Sequence, residues 1–509
     1  MRTRNSVRNI LAALTGQILG ILLQFVSRKV FIAMMSEDLL GVGSVFANIL
    51  SILSLAELGI GTAIAFALYQ PLAEGDQAKV TAIMAFYQKI YRAVAGGVLL
   101  LGMLTARFLP YMIREPVMHL RLYYYLYLAS SVLSYLCAYK RTLMIADQKS
   151  YISSAFRCSY IILLNVVQIF ILITTQSFAL YLTAQVLLSF AENVLISLCA
   201  DRMYPYINRK GSGLSKAEKN EIGKNIRALF FHRTGSVAVT GTDSILLSVL
   251  VDLRAAAVYA NYRLIFSGLN TILTQLFSAV TASVGSLLIE RDMDYNYKIY
   301  RAILMLSYWL YGVTGICLIV LLNDLITIWI GGNYTETPGC ILILVVHFFL
   351  TGVREPVNIF KNALGLFWRD RYKPLAEAVF NLILSIALGV RFGAAGIFGA
   401  TILSALLIPF WVEPYILYKH YWGKRLSEYF RMVLRYLLPL VCIGGLLAAL
   451  AGSFAAADWP QLVIKSALIF AAANLLFLCA VYRTYEFRFV KARAQSYLKR
   501  FIKSYARSA

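Results

Sequence analysis

Long apolar stretches recur along the whole chain and are separated by short polar segments. A helix of about 20 apolar residues is long enough to cross a bilayer, so the pattern predicts an all-α, polytopic membrane protein with about fourteen transmembrane helices. The predicted spans are roughly 9–33, 40–68, 82–106, 121–144, 152–174, 178–200, 226–250, 256–288, 299–322, 339–361, 374–391, 395–418, 432–451 and 462–482. The short loops leave no room for an extramembrane catalytic domain.

The distribution of basic residues predicts the orientation of these spans. Of the 48 lysines and arginines, 37 lie in alternate connecting segments and in the two terminal segments. Because basic residues are retained on the cytoplasmic side, both termini are expected to be cytoplasmic, which agrees with an even number of spans. The basic segments are 1–8, 70–92, 139–157, 201–227, 290–301, 361–373, 419–435 and 483–509.

An internal echo predicts two six-helix lobes followed by two extra helices. Val45-Phe46-Ala47-Asn48 matches Val258-Tyr259-Ala260-Asn261, and other weak echoes recur at a similar offset. Such echoes are typical of transporters with parallel repeats. The predicted division is 1–207 for the first lobe, 208–225 for a basic cytoplasmic linker, 226–425 for the second lobe, 426–482 for the extra helices and 483–509 for a basic amphipathic cytoplasmic tail.

Composition narrows the functional classes. The net charge of +23 could indicate a nucleic-acid partner, but the cations punctuate membrane segments and form no separate basic domain, so no nucleic acid is expected. The seven cysteines occur singly, without the spacing of a zinc site or a disulfide framework. No cofactor and no metal are expected.

Five basic residues lie inside apolar stretches: Arg28, Lys29, Arg233, Arg263 and Arg354. A charge in the hydrocarbon core costs at least about 2.5–3.5 kcal/mol, so such residues usually face a polar cavity. Arginine also suits a diphosphate, because its planar fork donates two parallel hydrogen bonds. A row of buried cations therefore suggests that an anionic substrate crosses the membrane, with Lys29 more simply explained as an interfacial anchor.

Polar residues at helical spacing accompany these cations and predict one polar face on each of four spans. The faces are Gln17, Gln24 and Arg28; Arg233, Ser236, Thr240 and Asp243; Arg263, Ser267, Asn270, Thr274, Ser278 and Thr281; and His347, Thr351, Arg354 or Glu355, and Asn358. We interpret them as the lining of a water-filled cavity, with tight interhelical packing as the alternative. Ion pairing also competes, because Asp243 lies at about the depth of Arg263 and Glu355 neighbours Arg354.

Several strings resemble the polysaccharide transporter family, the Wzx-type oligosaccharide flippases of the multidrug/oligosaccharidyl-lipid/polysaccharide (MOP) superfamily. The most specific are Leu55-Ala56-Glu57-Leu58-Gly59-Ile60-Gly61 with Tyr69-Gln70-Pro71-Leu72-Ala73, and Thr242-Asp243-Ser244-Ile245-Leu246 followed by Tyr259-Ala260-Asn261-Tyr262. The resemblance covers essentially the whole chain and identifies lineage better than substrate. It implies fourteen helices in two lobes around a central cavity that opens to each side in turn.

The resemblance also implies a function. Members of this family move sugars on undecaprenyl diphosphate from the inner to the outer leaflet of the plasma membrane. The expected partners are therefore this lipid-linked oligosaccharide, membrane lipids and polysaccharide synthesis proteins. The related lipid II flippases use arginines on the first and eighth helices, which line the cavity. Arg28 and Arg263 stand in comparable positions here. The predicted site comprises Arg28, Arg263, Arg354, Arg233, Gln24, Asp243 and Asn270.

Two other functions stay open. A cation-coupled multidrug exporter of the same superfamily should favour acids and aromatics over arginines in its cavity. A membrane polysaccharide polymerase would be an enzyme, which we do not expect, because such enzymes usually carry a large outer loop or a nucleotide-sugar domain. The sequence does not indicate the sugar, the coupling ion or the oligomeric state.

Overall fold

The computed structural model describes residues 2–57, 60–147, 149–208, 213–290, 292–364, 366, 369, 372–451, 454–493 and 495. The described residues are predominantly helical. The helices are α1 (Arg2–Met34), α2 (Glu37–Leu53), α3 (Ile60–Glu74), α4 (Gln77–Thr105), α5 (Leu109–Met112), α6 (Leu120–Ala146), α7 (Ser150–Thr175), α8 (Phe178–Met203), α9 (Lys216–Leu250), α10 (Leu253–Glu290), α11 (Met293–Ile330), α12 (Pro338–Val353), α13 (Glu355–Ala363), α14 (Lys373–Leu407), α15 (Pro409–Leu417), α16 (Leu426–Ala451) and α17 (Trp459–Val481).

The predicted all-α, polytopic membrane class is confirmed. Within the described residues, each predicted span coincides with one of these helices or with two consecutive ones. Seven segments are long and apolar enough to cross a membrane by themselves: Ser150–Thr175, Phe178–Met203, Met293–Ile330, Pro338–Ala363, Lys373–Trp422, Leu426–Ala451 and Trp459–Val481. The chain is therefore a multi-pass membrane protein. The predicted tail helix around residues 498–505 lies outside the described residues.

Helix ends follow local chemistry. Asp76 begins α4 by accepting a hydrogen bond from the Lys79 backbone N–H at 2.9 Å. Ser215 and Glu218 form a reciprocal capping box at the start of α9. The backbone and hydroxyl hydrogen bonds from Ser215, together with Lys79, lower the pKa of the Glu218 carboxyl. Side-chain oxygens thus replace the carbonyl partners that the first helical N–H groups lack.

Proline or glycine marks three helix breaks within or between the tenth, eleventh and twelfth predicted spans. The tenth span breaks at Arg354, where α12 ends and α13 begins with Glu355 and Pro356. Pro409 begins α15, because its ring and missing N–H do not allow α14 to continue. Gly393 adopts φ 59° and ψ −138° inside α14 and separates the two predicted spans there. In contrast, α16 continues through Pro439.

Two compact units are formed: Met1–Asn261 with Pro374–Leu382, and Tyr262–Lys373 with Ile383–Ala509. In the first unit, α1 packs along α7, while α6 packs against α4 and α8. Helix α9 also belongs to this unit. Its Ser248 hydroxyl donates to the Met112 carbonyl at 2.7 Å, and Gly241 packs against Ile52. These units are defined by contacts between residues and not by sequence repeats. They therefore do not test the lobe division predicted from the internal repeat, which stays a prediction.

The second unit is arranged around α11, which packs against α12, α16 and α17. The Trp309 indole N–H donates to Asn474 on α17 at 2.9 Å, and Lys465 on α17 forms an ion pair with Asp324 at 2.7 Å. Helices α16 and α17 are thus fixed to the core of this unit.

Helices α11 and α12 approach closely at Gly352. The Ser307 hydroxyl donates to the Gly352 carbonyl at 2.7 Å, and the Tyr311 ring covers the glycine. A Cβ atom at this position would lie 2.0 Å from Tyr311 Cδ1, which is far inside van der Waals contact. The absence of a side chain is therefore a condition of this helix contact.

Gly352→Ala is expected to lower the stability of the protein by about 1–3 kcal/mol, since the added methyl group overpacks the contact with Tyr311. The measurement is the thermal unfolding midpoint of the purified protein in detergent. Gly445→Ala is the matched control, because a Cβ there meets no atom within 4 Å. Equal midpoints for the two variants would contradict the close-contact interpretation.

Candidate functional site

The first unit contains a cavity of about 1070 Å³. This volume lies at the upper end of the usual range for ligand sites. Tyrosines, serines and amides dominate its polar lining, together with two arginines and two glutamates. The polar lining residues are Ser51, Ser54, Glu57, Tyr69, Tyr91, Tyr127, Ser130, Ser131, Ser134, Tyr135, Arg141, Thr142, Arg157, Tyr160, Gln185, Ser189, Glu192 and Asn193.

One wall of this cavity carries a buried ion pair. Arg141, five residues before the end of α6, donates from Nη2 to Glu192 Oε1 on α8 at 2.5 Å. Glu192 is only 5% exposed, and a buried carboxylate needs a cation to offset its desolvation. Arg141 Nε is also buried and has no hydrogen-bond partner among the described residues. The guanidinium group therefore has one donor that no described residue satisfies.

Arg157 supplies an exposed cation in the same cavity. It lies seven residues beyond the start of α7, and its guanidinium carbon is 5.0 Å from the centre of the Tyr160 ring. This distance allows a cation–π contact, which orients the guanidinium without neutralising it. Among the described residues Arg157 has no ion pair. An anionic ligand could therefore bind it without displacing an acid.

In contrast to the two arginines, Glu57 is an acidic residue that lines the cavity. The Tyr91 hydroxyl donates to Glu57 Oε1 at 2.7 Å. The neighbouring Tyr87 hydroxyl shares a hydrogen bond with Thr142 at 3.0 Å. Glu57 thus connects the end of α2 to α4, which fits a structural bridge, and it also contributes negative charge to the cavity.

Arg28 lies within electrostatic reach of Tyr127 and Tyr181. Tyr127 is itself part of the cavity lining. Arg28 Nη1 is buried and has no hydrogen-bond partner among the described residues. Buried donors of this kind are rare in native structures unless water or a ligand satisfies them. Gln24, one turn earlier on α1, is exposed.

The other predicted residue of the first unit for which the side chain is described is Asp243. It is buried on α9, and its Oδ2 accepts a hydrogen bond from the Tyr259 hydroxyl at 3.2 Å. The side chain of Arg233 lies outside the described part of the structure. The predicted pair between Asp243 and Arg263 stays a prediction.

In the second unit, Arg354 is held by an acid that the sequence did not indicate. Its Nε and Nη2 donate to the two oxygens of Glu413 on α15, at 2.9 and 2.8 Å. Lys373 also forms an ion pair with Glu413, and Lys361 Nζ lies 4.0 Å from it. Glu413 is only 1% exposed. Arg354 therefore belongs to a buried three-cation cluster around one carboxylate.

Two further predicted residues lie in the second unit. The Asn270 side-chain oxygen accepts a hydrogen bond from the Tyr311 hydroxyl at 3.1 Å. Arg263 is half-buried on α10, directly after the buried Tyr262. The predicted residues are thus divided between the two units, and Arg28 lies within electrostatic reach of one residue that lines the described cavity.

Arg141 and Arg157 are not among the predicted site residues, because both belong to the basic segment 139–157 that indicates the cytoplasmic side, although they also fall inside the predicted spans 121–144 and 152–174. One observation pointed to Arg141. Glu192 lies within a predicted span, and an acid at that depth requires a cation within reach. The nearest basic residues at the ends of neighbouring spans were the natural candidates.

No protein-family profile and no curated protein sequence matches this chain significantly. Solved structures do match. The lipid II flippase MurJ, in an inward closed conformation, superimposes with a TM-score of 0.64 at 15% identity, over 94% of this chain and 99% of that one.

Multidrug transporters of the same superfamily also match. A Vibrio cholerae MATE transporter, VcmN, in a point-mutant form, gives a TM-score of 0.56 at 12% identity over 84% of this chain and 99% of that one. A MOP superfamily transporter from Pyrococcus furiosus, described as having a binding pocket of reverse polarity, gives 0.56 at 14% identity over 81% and 96%. The chain therefore has the fold of MOP superfamily transporters, and these structural neighbours are transporters rather than enzymes.

Glu413→Gln is expected to destabilise the protein by about 3–5 kcal/mol, because Arg354, Lys361 and Lys373 would lose the carboxylate that they share. Thermal unfolding in detergent measures the effect. Glu74→Gln is the control, since Glu74 is exposed and hydrogen-bonded only to Gln70 among the described residues. If both variants unfolded at the wild-type temperature, the buried cluster would not be a structural centre.

Proposed function

We propose that this protein is a flippase that moves polyprenyl-diphosphate-linked oligosaccharide from the inner to the outer leaflet of the plasma membrane. The observation that supports it best is a pair of guanidinium groups with no ion pair among the described residues. Arg157 lines the cavity of the first unit, and Arg28 lies within electrostatic reach of Tyr127, which also lines it. Each can donate two parallel hydrogen bonds to a phosphate.

The rest of the cavity suits a sugar. Hydroxyl groups of Ser130, Ser131, Ser134 and Ser189 and the amide of Gln185 line it. These groups both donate and accept hydrogen bonds, as sugar hydroxyls do. Tyr135 and Tyr160 add aromatic faces against which a sugar ring could pack. The lipid tail would stay in the bilayer while the head group occupies this space.

The structural similarity covers more of this chain for the lipid II flippase than for the other two transporters. The lipid II flippase matches 94% of this chain, whereas the two multidrug and related transporters match 84% and 81%. Likeness at these identities establishes the fold alone, so the substrate is argued from the cavity. We place no cofactor in the mechanism. The inside-negative membrane potential would assist outward transfer, by about 2.3 kcal/mol per charge and 100 mV.

A second candidate is a cation-coupled multidrug exporter, and one observation favours it. Glu57 and Glu192 line the same cavity together with five tyrosines, a composition that would also bind a flat organic cation. Glu192 is already paired with Arg141, so Glu57 is the acid that such a cation would meet. The two functions differ in which charged residue the substrate needs.

Arg157→Ala is expected to lower the rate of oligosaccharide translocation about ten- to a hundredfold, because one charge-assisted contact to the diphosphate is lost. Translocation of fluorescent lipid-linked oligosaccharide in proteoliposomes measures it. Arg92→Ala, an exposed cation outside the cavity, should leave the rate unchanged. Loss of drug efflux in Glu57→Gln, with normal oligosaccharide translocation in Arg157→Ala, would favour the exporter instead.

Arg28→Ala and Arg263→Ala are each expected to abolish surface polysaccharide export at normal protein levels, with lipid-linked oligosaccharide accumulating on the inner leaflet. Such accumulation also separates a flippase from a polymerase. Lys29→Ala is the matched control, because Lys29 neighbours Arg28 on α1 but is exposed. Normal export by Arg28→Ala at the wild-type protein level would show that the diphosphate does not need this cation.

A further inference from the structure

The second unit carries a basic groove that the transport function does not use. Two adjoining cavities of about 380 and 220 Å³ share Tyr297, Arg301 and Glu428. The groove lies where α11 and α16 begin, next to the segment that follows α17. This is the face that the distribution of basic residues predicts to be cytoplasmic.

A buried ion pair fixes the floor of this basic groove. Arg301 Nε donates to Glu486 Oε1 at 2.8 Å, and Glu486 is only 1% exposed. Tyr297 stands one turn before Arg301 on α11, and its hydroxyl donates to Glu428 Oε2 at 3.3 Å. The helix α11, the helix α16 and the segment after α17 are therefore held together at this point.

Four more cations line the basic groove. Lys424 Nζ lies 4.8 Å from the centre of the Tyr297 ring. Lys298, Arg431 and Arg435 are exposed and have no ion pair among the described residues. The pair of Arg301 with Glu486 is neutral. The four remaining cations therefore outnumber the two lining acids, Asp294 and Glu428, by two.

The position of two of these arginines points to the membrane surface. Arg431 and Arg435 are one turn apart on α16, and Arg435 lies about 13 Å along the helix from Leu426, at 1.5 Å per residue. The exposed apolar residues Leu438 and Val441 follow. These side chains have the exposure expected for contact with acyl chains. The exposed Leu434 lies between the two arginines, so both lie where the apolar surface of α16 begins.

We propose that the basic groove binds the phosphate of an anionic glycerophospholipid from the cytoplasmic leaflet. Basic pockets between membrane helices on this side suit such head groups, and arginine suits their phosphate geometrically. Arg431 and Arg435 would hold the phosphate, Lys298 and Lys424 would extend the positive field, and the acyl chains would lie along the exposed apolar face of α16. The proposal does not depend on the transported substrate.

The test is native mass spectrometry of the full chain in detergent, titrated with phosphatidylglycerol. Each basic residue near a membrane surface contributes about fivefold in affinity, so Arg431→Gln with Arg435→Gln should weaken binding about 25-fold. The control is Arg202→Gln with Lys219→Gln, which removes two exposed cations from the same predicted face and should bind normally. A thermal unfolding measurement without added lipid checks that both double variants are folded.

Several outcomes would overturn the proposal. One is equal phosphatidylglycerol affinity for the wild type and for Arg431→Gln with Arg435→Gln. Another is equally tight binding of zwitterionic phosphatidylethanolamine, which would remove the role of net charge. Binding of soluble glycerol phosphate as tight as that of phosphatidylglycerol would exclude a membrane source. Displacement of phosphatidylglycerol by undecaprenyl diphosphate at lower concentration would assign the groove to the transported lipid.

Discussion

The cost of placing an ionised group in a medium without water governs this structure. Three deeply buried glutamates form ion pairs among the described residues. Each pairs with an arginine from another helix or from a helix junction. The pairs are Arg141 with Glu192, Arg354 with Glu413 and Arg301 with Glu486. Because removal of one partner would leave an uncompensated charge, every pair acts as a cross-link between helices. Ion pairing therefore contributes to helix packing as well as to charge balance.

The same constraint separates structural cations from cations that can bind a ligand. Arg354 is engaged by both oxygens of Glu413, so a diphosphate would have to compete with a buried carboxylate. Arg157 has an aromatic neighbour and no ion pair among the described residues. Arg28 keeps a buried nitrogen without a hydrogen-bond partner among them. Position within an apolar stretch therefore does not identify a ligand; the partners of each guanidinium do.

The fold could be predicted from the sequence because membrane helices satisfy their own backbone hydrogen bonds, so apolar length alone indicates each span. Breaks at Pro356 and Pro409 follow from the proline ring in the same local way. The partner of Arg354 could not be predicted, since Glu413 is 59 residues away in sequence and reaches it only through helix packing. Depth was misleading too. Arg157 falls both in the basic segment 139–157 and in the predicted span 152–174, and the structure places it on α7, lining the cavity.

The nearly balanced charge of the cavity is consistent with transport, because a carrier must release what it binds. A lone guanidinium in a site without water would hold the diphosphate tightly, because each of the two charges would have only the other to offset its loss of hydration. Glu192 beside Arg141 lowers that attraction while keeping the arginine oriented. Arg157 would then supply the charge, and water entering the cavity would screen it. On this view the acids tune affinity, and a cavity lined by cations alone would favour capture over turnover.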